Sequence, residues 1–207
     1  MMNKLAILGA SGHGKVVADT AECCGWQTIG FFDDAWPELQ NNGVWPVVGD
    51  TAVLMERLAD FDGVLVAIGS NRIRSAKLLE LELAGGRLVT LIHPSATVSR
   101  YAEIAEGSVV MAGVVVNAGA SVQRGVILNT GCSVDHDCVL GSAVHISPGA
   151  RLAGGVSIGD ESWIGIGASV RQQISIGRSV VVGAGSAVVS DIPNNVAVAG
   201  VPARKLR

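Results

Sequence analysis

The chain has 207 residues, a formal net charge of −3 and a mean hydropathy of +0.44. That charge leaves no basic footprint for nucleic acid, and the apolar residues are too evenly spread for any run to approach the ~18 that span a bilayer. Four cysteines without a C-x-x-C or H-x-x-x-H spacing give neither a disulfide framework nor a zinc pattern.

From the N-terminus, Leu5 to Leu8 reads as a short buried strand. The apolar part of Met1 to Leu8 is too short for a signal peptide, so a cytoplasmic protein without stable membrane insertion is expected. The strand runs into Gly9-Ala-Ser-Gly-His-Gly14, and Lys15 to Cys24 then has helical spacing. Gln27 to Phe32 reads as a second strand ending at Asp33-Asp34, and Thr51 to Ala59 as a second helix. Val64 to Ile68 is a third strand ending at Gly69-Ser-Asn-Arg72, residues 73–84 a helix, and Leu88 to Ile92 a fourth strand. Strand and helix in alternation imply parallel strands with right-handed crossovers, a small Rossmann-like α/β domain over residues 1–92.

From Ile92 the helical pattern gives way to a period of six. Stepping by six from Ile92 to Val188 meets seventeen residues, all Ile, Val or Leu. Four residues after each comes a small or apolar one, from Ala96 through Cys132 and Cys138 to Ile192. Glycine recurs at the second and fourth places. A repeat so short cannot bury a core alone, so successive repeats must stack. A helix needs a period near 3.6 and a flat sheet a period of 2; neither fits. Residues 93–207 are therefore expected to form one stacked coil, with Cys132 and Cys138 as free buried thiols.

The pattern [Ile/Leu/Val]-[Gly/small]-x-x-[small]-x resembles that of the hexapeptide-repeat acyltransferases. Segments along the whole chain resemble those of the PglD/NeuD sugar O/N-acyltransferases within that group: Gly9-Ala-Ser-Gly-His-Gly14, Phe32-Asp33-Asp34, Ala67-Ile-Gly-Ser-Asn-Arg72, Asp135-His-Asp-Cys138 and Val144-His-Ile-Ser-Pro-Gly149. The resemblance implies an α/β N-terminal Rossmann-like domain followed by a left-handed parallel β-helix. It also implies a homotrimer with active sites between neighbouring β-helices, acetyl-CoA as co-substrate and a nucleotide-linked amino sugar as acceptor, with a UDP-4-amino sugar foremost.

Acetyl transfer to an amine needs a base, a donor for the oxyanion and alignment of both substrates. Histidine is the natural base near neutral pH, and the chain has four: His13, His93, His136 and His145. His136 stands between Asp135 and Asp137, at a hexad position that points outward, and an adjoining acid can orient an imidazole. By resemblance His136 is the base and Asp137 its support. His145 contacts the sugar or the acetyl region, or else faces a trimer neighbour. His93, before Pro94 at the junction, reads as structural.

Gly12, His13 and Gly14 belong to a strand-to-helix glycine turn whose backbone N–H groups suit a phosphate. By resemblance this turn, with Asp33, Asp34, Gly69, Asn71 and Arg72, holds the nucleotide sugar; an ordinary loop is the alternative. Gly154 matches a glycine whose amide faces the thioester carbonyl, and Gly155 assists close approach. Arg204 and Lys205 meet CoA phosphates or form a free basic tail, and Trp163 serves an interface or CoA packing. A sialic-acid or other O-acetyltransferase is the competing enzyme reading. A zinc hydratase on the same repeat needs three histidines on adjoining faces, whereas only His136 and His145 lie in the repeats, so no metal is expected.

Overall fold

A computed structural model describes residues 3–206, so Met1, Met2 and Arg207 lie outside the described residues. The chain divides into two compact units between Pro94 and Ser95, two residues beyond the change of composition.

The first unit is built on a parallel sheet of three strands in the order β2-β1-β5, with β1 Lys4–Leu8, β2 Thr28–Phe32 and β5 Gly63–Val66. Leu5, Ala6, Ile7 and Leu8 are all buried, as a central strand covered on both faces requires. Helix α1 spans Gly12–Cys23, α2 Thr51–Glu56 and α3 Asn71–Leu83. A two-residue hairpin, β3 Asn41–Asn42 with β4 Trp45–Pro46, lies between β2 and α2. Asp50 caps α2 by accepting from Val53 N at 2.8 Å.

Two expectations are corrected in this unit. The fourth strand over 88–92 does not join this sheet: Leu88 makes one isolated parallel bridge to Val64, and only Leu91–Ile92 forms a strand, outside the three. A short apolar run does not by itself say how many rungs it pairs. Helix α1 starts at Gly12, not Lys15, so His13 and Gly14 belong to its first turn. Gly14 is there because the turn folds onto the strand: a Cβ would overlap Gly9 O and touch the Phe31 ring at 3.0 Å.

The second unit is a β-helix. Up to Ala187–Val188 its strands are two residues long and form three parallel faces, each strand pairing with the one eighteen residues on. The first face carries Thr97–Val98, Val115–Val116, Ser133–Val134, Arg151–Leu152, Ser169–Val170 and Ala187–Val188, one strand for each of six coils. The second carries Val139–Leu140, and the third His145–Ile146 and Trp163–Ile164. Three hexads therefore make one coil. The first and fifth hexad positions form a continuous core from Val98 to Ile192. Ile92 is 41% exposed and is not part of that core, although Leu91–Ile92 forms a two-residue strand in the sheet of the third face. Cys132 and Cys138 lie in that core, and burial pushes the Cys132 thiol up to about 12, which keeps it protonated and inert. Cys23 and Cys24 are exposed and free.

The fourth hexad position has a structural reason. From Gly107 to Gly185 every sixth residue has a positive φ, which turns the corner between faces. Glycine takes most of these corners without strain. Asp137, at φ 59°, takes one of the others, and aspartate is among the few residues that tolerate this region. Because Ile146 is fully buried between coils, Ile146→Ala should cost about 2–5 kcal/mol. Chemical denaturation of the variant checks this.

Candidate active site

The corner after Ser133–Val134 turns outward at residues 136 and 137, and it puts an imidazole and a carboxylate side by side. His136 Nδ1 donates to Asp137 Oδ2 at 2.8 Å. Asp135 Oδ1 accepts from His136 N at 2.9 Å and from Asn117 Nδ2, one coil below, at 2.8 Å. Asp137 thus holds the ring while Asp135 holds the backbone that carries it. The bond to Asp137 raises the imidazole above its ordinary pKa, and the charges of Asp135 and Asp137 add to this. Asp135 is held low, chiefly by its bond from His136 N and next by that from Asn117.

With Nδ1 engaged, Nε2 is the basic atom, and it faces the coil above. Gly154 stands there: a Cβ at this position would overlap His136 Cε1 and Nε2. Gly155 N donates to His136 O at 2.9 Å. Gly119, one coil below, has a similar relation to Asp137, whose Oδ1 would meet any side chain placed there. The expected pair His136 and Asp137 and the glycines Gly154 and Gly155 are therefore together.

His145 is not with them. It lies nine residues on, half a coil away, in the middle of the third face, whereas His136 sits at the corner between the first two. It is 6% exposed, with its ring 4.6 Å from that of Trp163 and Asn129 Nδ2 3.2 Å from its Nε2. Trp163 Nε1 donates to Ser147 Oγ at 2.7 Å. These residues line an open groove of about 580 Å³ continued by Gly165, Ile166 and Val181. Asn129 was missed in the sequence because it pairs with residues one coil on, and nothing within its own hexad marks it. Arg204 and Lys205 form a terminal strand antiparallel to Ala197–Ala199 at the end of the β-helix, away from the Gly154 coil.

In the first unit a cleft of about 300 Å³ is lined by Gly9, Ser11, Asp33, Asp34, Gly69 and Lys77, among others. Asp33 holds the turn by accepting from Ala10 N at 2.8 Å and Ala35 N at 3.0 Å. Asp34 is lowered by its bonds from the Thr51 side chain and backbone. Gly12, His13, Gly14, Asn71 and Arg72 are not in the cleft wall. The glycine turn has wound into α1, Arg72 faces solvent, and Asn71 is turned inward onto Arg74. Arg74 carries no motif that marks it in the sequence. It is 1% exposed and donates to Ile68 O at 2.9 Å, Gly69 O at 3.2 Å and Asn71 Oδ1 at 2.9 Å, which ties down the 68–71 loop. Burial, with the Arg74 charge second, lowers His13 to about 4, so it is neutral near pH 7.

The PglD N-terminal domain family model matches residues 4–81. The acetyltransferase domain of PglB from Neisseria gonorrhoeae, solved in complex with acetyl coenzyme A, is 47% identical over the full length of both chains, with a TM-score of 0.95. The chain belongs to the PglD-type hexapeptide-repeat acetyltransferases. PerB from Caulobacter crescentus, solved with CoA and GDP-perosamine, is another structural relative of this family, at 39% identity, a TM-score of 0.95 and coverage of 100% and 99% of the two chains. The UDP-N-acetylbacillosamine N-acetyltransferase of Bacillus subtilis is 40% identical over 113 residues, 54% of this chain and about half, 52%, of the relative. Among the described residues no cluster of three His, Cys, Asp or Glu is arranged to hold a metal, and no helix is long and apolar enough to cross a membrane.

Gly154→Ala should displace the imidazole without disturbing the core, because the clash is with an exposed ring. A fall of ~10²-fold in kcat/KM with a little-changed melting temperature is expected, read by acetyltransferase kinetics and calorimetry.

Proposed function

We propose that this protein transfers the acetyl group of acetyl-CoA to the amine of a nucleotide-linked amino sugar, foremost a UDP-4-amino sugar, with His136 as general base. The observation that carries the reading is the His136–Asp137 pair, held at 2.8 Å on an outward corner directly beneath Gly154. The amine nitrogen attacks the thioester carbonyl carbon while Nε2 takes its proton. The resulting oxyanion needs a fixed donor, and the Gly154 N–H is the one we assign to it. The C–S bond then breaks, and the imidazolium returns the proton to the CoA thiolate. No acyl-enzyme is required.

One chain presents a base on a corner and a groove on the opposite face. In the proposed homotrimer a neighbouring β-helix would bring its His145 and Trp163 groove against this corner, which gives pantetheine an apolar channel beside the base. Arg204 and Lys205 are assigned to CoA phosphates. The first unit's cleft, with Asp33, Asp34 and Gly69 in its wall, is assigned to the nucleotide; Gly12, His13, Gly14, Asn71 and Arg72 support it from outside that wall. Relatives support both nucleotides, since the Caulobacter structure holds GDP-perosamine and the Bacillus relative is named for a UDP sugar. A cytoplasmic setting follows from the need for acetyl-CoA and a nucleotide sugar together.

The test is CoA release from acetyl-CoA with a panel of UDP- and GDP-linked amino sugars. Activity on at least one is expected; silence across the panel with activity on free or polymeric sialic acid moves the assignment to O-acetylation. His136→Ala should lower turnover by ~10²-fold or more, and near-normal turnover refutes its role. The base works only when neutral, so activity must rise as pH climbs through a pKa above the ordinary imidazole value of 6.5. Asp137→Asn removes the largest cause of that elevation, and the acidic limb of kcat/KM should move to lower pH. An unmoved limb would show that Asp137 does not act on the ring.

A further inference from the structure

Residues eighteen apart occupy neighbouring coils, about 4.8 Å along the axis. The corner that carries His136 is therefore a column of Arg100, Ala118, His136, Gly154 and Gln172. Asp137 N donates to Ala118 O at 3.2 Å, Gly155 N to His136 O at 2.9 Å and Gln173 N to Gly154 O at 2.9 Å. The imidazole thus has the two smallest side chains of the column on either side. The next long side chain toward the N-terminal end is Arg100, two coils away. Its guanidinium lies 4.7 Å from the Tyr101 ring centroid and bonds the Tyr101 hydroxyl. Both residues are exposed, Tyr101 at 64%, and among the described residues no carboxylate is paired with Arg100.

We infer that Arg100, steadied on Tyr101, is the subsite for the sugar-phosphate linkage of the acceptor, with the reacting amine at His136. This rests on the proposed function. With the thioester on the Gly154 side of the imidazole, the open approach for the amine is over Ala118, toward Arg100.

Distances decide which phosphate belongs there. In a 4-amino sugar C1 is about 3 Å from C4, and the C–N, C–O and O–P bonds add about 1.5 Å each, which puts the phosphorus roughly 7–8 Å from the amine. Two coils are about 9.6 Å, and a guanidinium spans the remainder. The CoA diphosphate is too far: pantetheine is as long as about four extended peptide units, roughly 14 Å. A planar fork pre-set by stacking suits a phosphate, which it can grip with two N–H donors.

The experiment compares wild type with Arg100→Met, Arg100→Lys and Arg171→Met. Arg171 is another exposed arginine on the same corner, toward the C-terminal end. Steady-state kinetics with a nucleotide-linked amino sugar and acetyl-CoA, plus a melting curve, are the readouts. Arg100→Met should raise the acceptor KM about ten-fold or more and leave the acetyl-CoA KM and the melting temperature unchanged. Arg100→Lys should recover part of the loss, and Arg171→Met should leave the acceptor KM alone. An unchanged acceptor KM, an equal rise in both KM values, a lowered melting temperature or the same effect at Arg171 each overturns the subsite. A wild-type protein silent on every nucleotide-linked sugar defeats the proposed function itself, and the subsite with it.

Discussion

Backbone hydrogen bonds between coils eighteen residues apart are the constraint on which the second unit depends. Each strand is only two residues long, too short to hold itself extended, so its N–H and C=O groups must be satisfied by the coils above and below. That register decides which side chains face the core, which turn each corner, and which stack in a column. The His136–Asp137 pair inherits its geometry from this. Its ring rests on Gly154 of one coil, and its backbone is held by Asp135, which Asn117 of another coil anchors.

Two of the histidines, His136 and His13, show how place sets chemistry. His136 is open to solvent, and its shift comes from a directed bond to a carboxylate with two negative charges nearby, so the proton is favoured. His13 is driven the opposite way by burial and by the Arg74 guanidinium. An exposed imidazole keeps access to substrate and can cycle a proton. A half-buried one beside a cation stays neutral. The same residue type thus favours its proton in the β-helix and loses it in the α/β unit.

Much of this was legible before any coordinates. A six-residue aliphatic period requires stacking, so the stacked repeats and their inward residues from Val98 to Ile192 could be read from spacing, while the β-helix form came from the family resemblance. His136 and Asp137 were visible because adjacent residues at a corner must stay adjacent. The readings that failed concern ends and edges. Ile92 continues the period yet is exposed, and Leu88 has a strand's composition yet makes a single bridge. Helix α1 absorbs the glycine turn because Gly12 and Gly14 permit helical backbone as readily as a loop, so the turn left the wall of the cleft.

By itself, the sequence determined the repeat, the inward and outward positions, and the acid–imidazole neighbours, because all of these are set by spacing along one chain. Only the tertiary structure decided which residues meet across coils: Gly154 over the His136 ring, Asn117 on Asp135, Asn129 on His145, and Arg74 beneath the 68–71 loop. It also showed that His145 and His136 look out of different sides of the same coil. A linear pattern specifies a period, but the neighbours of a side chain depend on how many residues close one turn, and that number follows from packing three short strands around a core.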